Sequence, residues 1–563
     1  MSEVKLDHFK RAAAEIGSRG DNDTLPFDID VRFIKDKQTE LAELAFAYFS
    51  RINKLTGKDR IYSAIKPIPV YSERLLVPSG SSGFRVTTKI HTFWNLFLNG
   101  IGIAIAEAHE PLRSDRAHSY RYINEGEKLF DQHASWRAFR EASVEECRRI
   151  DGEVVVVETD ISSFYQQVYH HHIEHCINDL FPDNPSVALQ IDRLLSKISS
   201  GRSFGLPVGG QAARIIAELI LSNIDRALDD ESIIWRRYVD DFVLVTNSHS
   251  EAYAALAKLS HALANYGLSL NKTKTTIIRG NHFCDYVEAQ LGLAGNVNSE
   301  LREIDLHFDP YSDAPDEEYG RLKEVVQAID IQNFLDIELE KGQPDSFIVS
   351  QIGRSLRYHR PEVTIQLCRT ILAPANLNAF RGSWATIMRG VQAVRSNEIF
   401  SEIFDEIDDL LDLIPGHSSH LLIAEVSCLH YLRAIRFKRT VDRGQYVWNL
   451  YNASQLQVIR RACIDCWMNW KDRNKFGALI NQWNTMPPEV QRMLWLSAKE
   501  FDDEGSHFQN RAGPQAKTGW VMGLEGCVND SGVYTKHDAE DRSAKSDITF
   551  AELYIEWCKK WEN

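Results

Sequence analysis

Residues 235–246, WRRYVDDFVLVT, set two adjacent aspartates, Asp240 and Asp241, between two strand-forming runs. The pattern reads as a β-hairpin with both carboxylates at its turn. Neighbouring carboxylates repel, so a fold that holds them together suits a site whose partner is a divalent cation. Upstream, Glu153–Glu158 (EVVVVE) is a short continuous apolar run, the pattern of a strand buried in a sheet. Asp160 follows it in EVVVVETD, where a carboxylate leaving a buried strand is placed to meet the hairpin tip from a neighbouring strand.

The 563 residues are too many for one ordinary core and suggest about two to four domains. Residues 1–60 read as helical, with apolar residues at three-to-four spacing in LAELAFAYFSRINKL. Residues 61–90 carry prolines, a Gly/Ser turn and β-branched residues, and read as short strands around a loop. An apolar helix is expected at 91–108, helices at 165–198 broken near Pro182 and Pro185, and further helices at 212–228 and 251–266. Residues 267–278 read as a turn and a strand.

Near Asp305–Tyr319 the chain turns acidic and proline-bearing, which marks a domain boundary. Beyond it strand signals nearly vanish, and segments such as SEIFDEIDDLLDLI follow one another as amphipathic helices. That texture suggests an array of stacked helix pairs, although no clean fixed period is present. Residues 504–545, rich in Gly, Asp and Ser, read as loop before a final helix. The expected organisation is therefore a helical segment at 1–60, an α+β domain at 61–305 and an all-α domain at 306–563.

Apolar residues are 44% and charged residues 25% of the chain, and no apolar run approaches the ~18 residues of a membrane span. The polar first residues look like neither a signal nor a transit peptide. Nine irregularly spaced cysteines then read as reduced thiols in a cytoplasm. A net charge of −15 argues against a protein that coats nucleic acid, but it leaves room for a locally basic cleft.

Asp160, Asp240 and Asp241 together could hold two Mg²⁺ ions about 3.5–4 Å apart, one activating a 3′-hydroxyl and the other steadying a triphosphate. Mg²⁺ fits an all-oxygen set that keeps sites for phosphate, and Mn²⁺ could replace it. His170, His171, His172 and His175 invite a zinc reading. Consecutive helical residues face different sides, however, so the three neighbours cannot share one ion. Cys463 and Cys466 form a lone pair without a partner pair at ribbon spacing, and read as core cysteines. Arg354, Arg357 and Arg360, and later Arg433, Arg436, Lys438 and Arg439, form basic groups that are either solvated faces or phosphate contacts.

The order of motifs resembles that of reverse transcriptases. An Asp-bearing strand (VETDISSFY) is followed by a glycine-rich loop and helix (SFGLPVGGQAARIIAELIL, 203–221), the Tyr-x-Asp-Asp hairpin, and Gly-Leu-x-Leu with Lys-Thr (GLSLNKTKT, 267–275). The resemblance spans about residues 60–300 and implies a palm-and-fingers domain, here followed by an all-α, helical-repeat-like half in place of a conventional thumb. The DISSFY and GLPVGGQAARIIAELIL wording is most similar to the bacterial abortive-infection and defence-associated reverse transcriptases.

The resemblance implies metal ligation by Asp160, Asp240 and Asp241, with the backbone of Ile161 beside them. It places Tyr165, next to Phe164, as a ring beneath the sugar that would exclude a 2′-hydroxyl. It gives Lys274 the place of a general acid near the leaving pyrophosphate. Arg85 and Lys89 would grip the triphosphate, and Tyr238, Val208, Gly209 and Gly210 would line the nucleotide or template. Where many retroviral-type enzymes have Leu-Pro-Gln-Gly, this chain has Leu206-Pro207-Val208-Gly209, and valine cannot hydrogen-bond a base.

Members of the resembled branch are implied to synthesise DNA from deoxynucleoside triphosphates in antiphage defence, without a template or with a restricted one. Some are primed by their own protein, which leaves the DNA covalently attached, and some are partnered by a noncoding RNA. Homo-oligomers without membrane attachment are expected. Two other readings stand beside this one: an RNA-templated enzyme of a retron or mobile element, and an inactive palm used as an RNA-binding or assembly module.

Overall fold

The computed structural model describes residues 3–291, 322–341, 344–520 and 549–561, apart from residues 27, 81, 82, 125, 127, 325, 328 and 329. The acidic segment at Asp305–Tyr319, where the sequence marks a boundary, lies outside them. Helices α1 (Leu6–Arg19), α2 (Ile29–Asp36), α3 (Gln38–Asn53) and α4 (Lys58–Ile65) precede an antiparallel hairpin of β1 (Ser72–Ser79) and β2 (Gly83–Ile90). The next helix, α5 (Thr92–His109), is buried on almost every side. Its apolar length reflects a place at the centre of the protein, where α1, α2, α3 and later helices pack around it. Helices α1, α2 and α3 of residues 1–60 pack directly on α5. Phe9, Ala12, Ala13 and Ile16 of α1 form one stripe against α5, and a Cβ at Gly100 would fall inside the Phe9 ring.

After α6 (Gln132–Arg149) comes β3 (Val155–Asp160), then short α7 (Phe164–Gln167), α8 (His170–Leu180), α9 (Ser186–Ile198) and α10 (Gln211–Asp230). The hairpin β4 (Ile234–Tyr238) and β5 (Asp241–Thr246) follows, then α11 (His249–Ala264), β6 (Thr276–Arg279) and α12 (Gly280–Gln290). The four strands form one antiparallel sheet in the order β4-β5-β3-β6. Val155, Val157, Phe242 and Leu244 face the main core beneath α10 and α11. Val156, Val243 and Val245 face a second core with Phe139, Phe283 and Val287 of α6 and α12. Burial on both faces explains why β3 is a continuous apolar run rather than an alternating one.

Among its described residues the C-terminal half carries helices and no strand. It comprises α13 (Ile331–Glu340), α14 (Ser346–Ser355), α15 (Pro361–Ile371), α16 (Pro374–Ala379), α17 (Trp384–Arg395), α18 (Phe404–His417), α19 (Glu425–Ile435), α20 (Val441–Ala453), α21 (Gln457–Asn469), α22 (Arg473–Ile480), α23 (Pro488–Ser497), α24 (Asp502–Gly519) and α25 (Phe550–Lys560). Helices α14, α17, α19, α21 and α23 stack in succession as an inner row, and the others cover them. Residues 504–519, read from the sequence as loop, are helical. Phe508, Ala512 and Ala516 recur every fourth residue, and Phe508 packs on Trp483 and Trp495.

This array docks on the hairpin and the N-terminal helices. Strand β1 lies along α19, with the Leu76 amide donating to Glu425, and α25 packs Phe550, Tyr554 and Trp557 around Phe33 of α2. At the junction Asp28, Asp30, Lys89, Arg461, Glu489 and Arg492 form a buried ion cluster. Among the described residues no helix is long and apolar enough to cross a membrane.

Candidate active site

The register of β3 against β5 places Asp160 directly opposite Asp241, and Tyr238 pairs with Asp241 across the tight turn Val239-Asp240. The three aspartates thus sit at one end of the sheet. The Ile161 amide donates to the Asp240 carbonyl at 3.2 Å, so the chain leaving Asp160 is bonded to the hairpin tip. Asn271 donates its amide to the Asp160 carbonyl at 2.7 Å, which brings the loop after α11 to the same point. That loop delivers Lys274, whose ammonium is paired with the Asp160 carboxylate.

Val239 has φ of +54°, an unusual conformation for a β-branched residue. Its carbonyl accepts from Arg237 Nη1 at 3.0 Å, one of the contacts that hold the turn in place. Arg237 is fully buried and also donates to Asp225 and Glu218 of α10, at 2.6–3.2 Å. Glu218 is shared with Arg113 at 2.7 Å and with the Ser119 hydroxyl at 2.6 Å. Burial alone would raise Glu218, but Arg237 and Arg113 outweigh it and hold its carboxyl below the ordinary value. The aspartate tip therefore stands on a fixed ionic base. The sequence showed Arg236-Arg237 beside the tip but not their partners, which lie on distant segments.

Burial pushes Asp240 up to about 7, with the like charges of Asp241 and Asp160 adding to the shift. Asp241 is raised by burial and by Asp160, with Lys274 opposing. Carboxyls raised by burial and by neighbouring like charges fit a cation, and their oxygens are the hard donors that Mg²⁺ prefers. Among the described residues no three His, Cys, Asp or Glu side chains converge into a ready-made metal cage. In this arrangement the Lys274 ammonium supplies the positive charge on Asp160.

The other sequence-predicted residues fall into two groups. Tyr165 and Tyr238 are half-buried near the aspartates, and burial together with Asp240 raises the Tyr165 hydroxyl. Arg85 is exposed on β2 and close enough to act on Tyr165. These residues gather around the aspartate tip. Lys89 is 4% exposed and ion-paired with Asp21 and Asp28, so its charge is taken up inside the protein. Phe164 is 2% exposed and packs under Tyr165, and the Ile161 side chain is equally buried, so each lends only its backbone to the site.

Val208 docks its carbonyl on β2, accepting from the Thr88 amide and the Thr87 hydroxyl at 2.9 Å each. Gly209 has φ of +118°, and the space a Cβ would need is filled by the amide of Asn22. That amide also bonds Thr87 and the Thr88 carbonyl at 2.9 and 3.2 Å. Gly210 stands at the start of α10 with Asn95 against it. The two glycines thus admit this protein's own asparagines, and segment 21–24 stitches the glycine loop to the hairpin. Asn22 had no signal in the sequence.

His170 donates from Nε2 to the Gly205 carbonyl at 2.9 Å, and the rings of His171 and His172 lie tilted with centroids 3.9 Å apart. Cys463 and Cys466 are buried free thiols, as read. Arg433 and Arg436 share Asp465, while Lys438 and Arg439 pair with Asp405 and Asp472.

Residues 107–293 match the sequence model of the family described as reverse transcriptase (RNA-dependent DNA polymerase). No curated protein sequence matches the chain. Similar solved structures include telomerase from Candida albicans in complex with a TWJ fragment of telomeric RNA, at 12% identity over 65% of this chain and 70% of that one, TM-score 0.31. Apo telomerase from Candida tropicalis is similar at 13% identity over 64% of this chain and 68% of that one, TM-score 0.29. The matched segment contains all three aspartates and Lys274. The chain carries a reverse-transcriptase domain, the enzyme class of RNA-directed DNA polymerases.

Proposed function

We propose that this chain polymerises deoxynucleoside triphosphates into DNA in bacterial antiphage defence, using no template or a restricted one. The observation that carries the polymerase reading is the register that sets Asp160 opposite Asp241 at a tip braced by buried Arg237. Asp160, Asp240 and Asp241 would hold the divalent cations. A bound Mg²⁺ pair would supply activation of the 3′-hydroxyl and neutralise triphosphate charge, as Mn²⁺ also could. Lys274, already at Asp160, is placed to give a proton to the leaving pyrophosphate. Arg85, exposed on β2, supplies charge for the triphosphate.

The defence role, a cytoplasmic location in a bacterium, a noncoding RNA partner, protein priming and homo-oligomerisation rest on the resemblance of the sequence to the defence-associated branch. Restricted template use is supported by Val208. Its side chain offers no hydrogen bond, and its carbonyl is already occupied by Thr87 and Thr88.

The test is polymerisation by nuclease-treated protein with Mg²⁺ and labelled deoxynucleotides, without template, run on a denaturing gel before and after protease. Labelled DNA whose mobility shifts on protease treatment is the expected result. Synthesis that begins only when RNA and a primer are supplied favours the templated reading and removes the role given to Val208. In the same assay Tyr165→Ala should raise ribonucleotide use relative to deoxynucleotides by about tenfold or more. Unchanged discrimination removes Tyr165 as the sugar gate.

A further inference from the structure

The four-histidine segment does not build a metal site, yet it lies within a row of exposed and half-buried rings beside the loops that carry Asp160 and Lys274. Phe204 and Tyr169 are large hydrophobic side chains left 38% and 40% exposed. Their centroids are 6.0 Å apart, Tyr169 is 6.4 Å from His172, and His172 is 4.9 Å from Tyr266. Arg202 lies 5.8 Å over the Phe204 ring at one end, and Arg226 acts on Tyr266 at the other. Both arginines are exposed, and among the described residues neither is in an ion pair. Of the carboxylates on α8, Glu174 is engaged by Lys58 and Asp179 lies a turn beyond Cys176. Burial, with His171 and His175 adding to it, holds His172 below its ordinary value, so its ring is uncharged at neutral pH.

The row is wired to the site by backbone. His170 donates its amide to Ser203 at 2.9 Å, Gly205 to Val168 at 2.8 Å, Leu206 to Tyr165 at 2.7 Å, and Ser162 to Ser269 at 2.8 Å. Those four bonds join the loops after Asp160, before the glycine loop and after α11 into one surface. In a chain of net charge −15, an aromatic row with an exposed arginine at each end, bonded among the described residues only to neutral partners (the Ser199 carbonyl and Asn223), is a local exception.

We infer that Phe204, Tyr169, His172 and Tyr266, flanked by Arg202 and Arg226, form a stacking platform for single-stranded nucleic acid entering or leaving the catalytic cleft. Successive rings stack unpaired bases without regard to sequence, and the arginines meet the phosphates between them. Four rings extend beyond one base, which favours a strand over a free nucleotide. Stacking ignores the sugar, so DNA and RNA strands share the platform. The inference rests on the polymerase reading only for the origin of the strand.

Tyr169 also lies against Gly267, so the test uses the rim residues. Anisotropy of a labelled oligo-dT of about 12 nucleotides is measured with the full chain, without divalent cation. Phe204→Ala and Arg202→Ala should each weaken binding about fivefold or more, Arg202→Ala should also lower the salt dependence, and Phe204→Tyr should bind as the parent does. Unchanged oligonucleotide affinity in both alanine variants overturns the platform. So does a loss of dTTP binding with strand binding intact, which would make the row a mononucleotide site. A chain that binds oligo-dT through these residues but synthesises nothing would fail the polymerase reading alone.

Discussion

Among single residues, Arg237 ties the aspartate-bearing tip to α10. Replacing it with methionine leaves Glu218 and Asp225 buried with one arginine, Arg113, near them. Breaking a buried pair in this way costs about 3–5 kcal/mol, so Arg237→Met should lower the urea midpoint sharply and abolish activity in the fraction that stays folded. A variant of parental stability would show that the cluster does not brace the tip. The convergence of Asp160, Asp240 and Asp241 was legible because β3 ends on the first and the β4–β5 hairpin carries the other two at its tip. Lys89 was not: the partners that bury its charge, Asp21 and Asp28, lie more than 60 residues earlier in the chain. Gly209 was read as leaving room for a ligand, and the room is taken by Asn22. Sequence spacing shows that a glycine is needed but not what approaches it.

At the scale of elements, strands and helices with a strong period fell where the sequence put them, because burial on one face or two leaves a direct record in the pattern. Residues 504–519 carried too few apolar residues to announce a helix, and Trp483 and Trp495 supply the packing that decides it. The junction between β1 and the helical array left no record at all. There Glu73 accepts from the amides of Gln457 and Val458, capping α21 from another segment. A carboxylate at a helix N-terminus contributes about 1 kcal/mol, more when partly buried. Glu73→Gln should therefore cost about 1–2 kcal/mol in chemical denaturation. No loss would mean that the array and hairpin are held by apolar packing alone.

For the whole molecule, the helical half was legible as a stack, but the inner helices start at Ser346, Trp384, Glu425, Gln457 and Pro488, at unequal steps, so no period could emerge. Its docking on the hairpin and N-terminal helices, rather than along the palm sheet, follows from contacts that no local pattern encodes. His430 marks that docking, bonded to the Thr24 carbonyl at 2.9 Å and pushed down to about 3 from an ordinary 6.5 by burial and Arg389. The unfolded chain then binds a proton that the folded chain refuses. Stability from this group is complete above about pH 6.5 and falls as pH falls towards 3, by up to about 1.4 kcal/mol per unit. His430→Gln keeps a donor for Thr24 and should remove that slope, read as the stability difference between parent and variant at several pH values. A difference that stays constant with pH would contradict a buried neutral His430.

In the proposed function the three aspartates at the tip of one sheet perform metal-dependent DNA synthesis. The direct measurement is deoxynucleotide incorporation by the purified chain with and without Mg²⁺, both template-free and on primed RNA, beside an Asp240→Asn variant of matched stability. Synthesis by the parent should stop when Mg²⁺ is chelated, and synthesis by the variant should be lower by about 10²-fold or more. Incorporation that survives Asp240→Asn, or a parent that incorporates nothing under either condition, would contradict the proposed function.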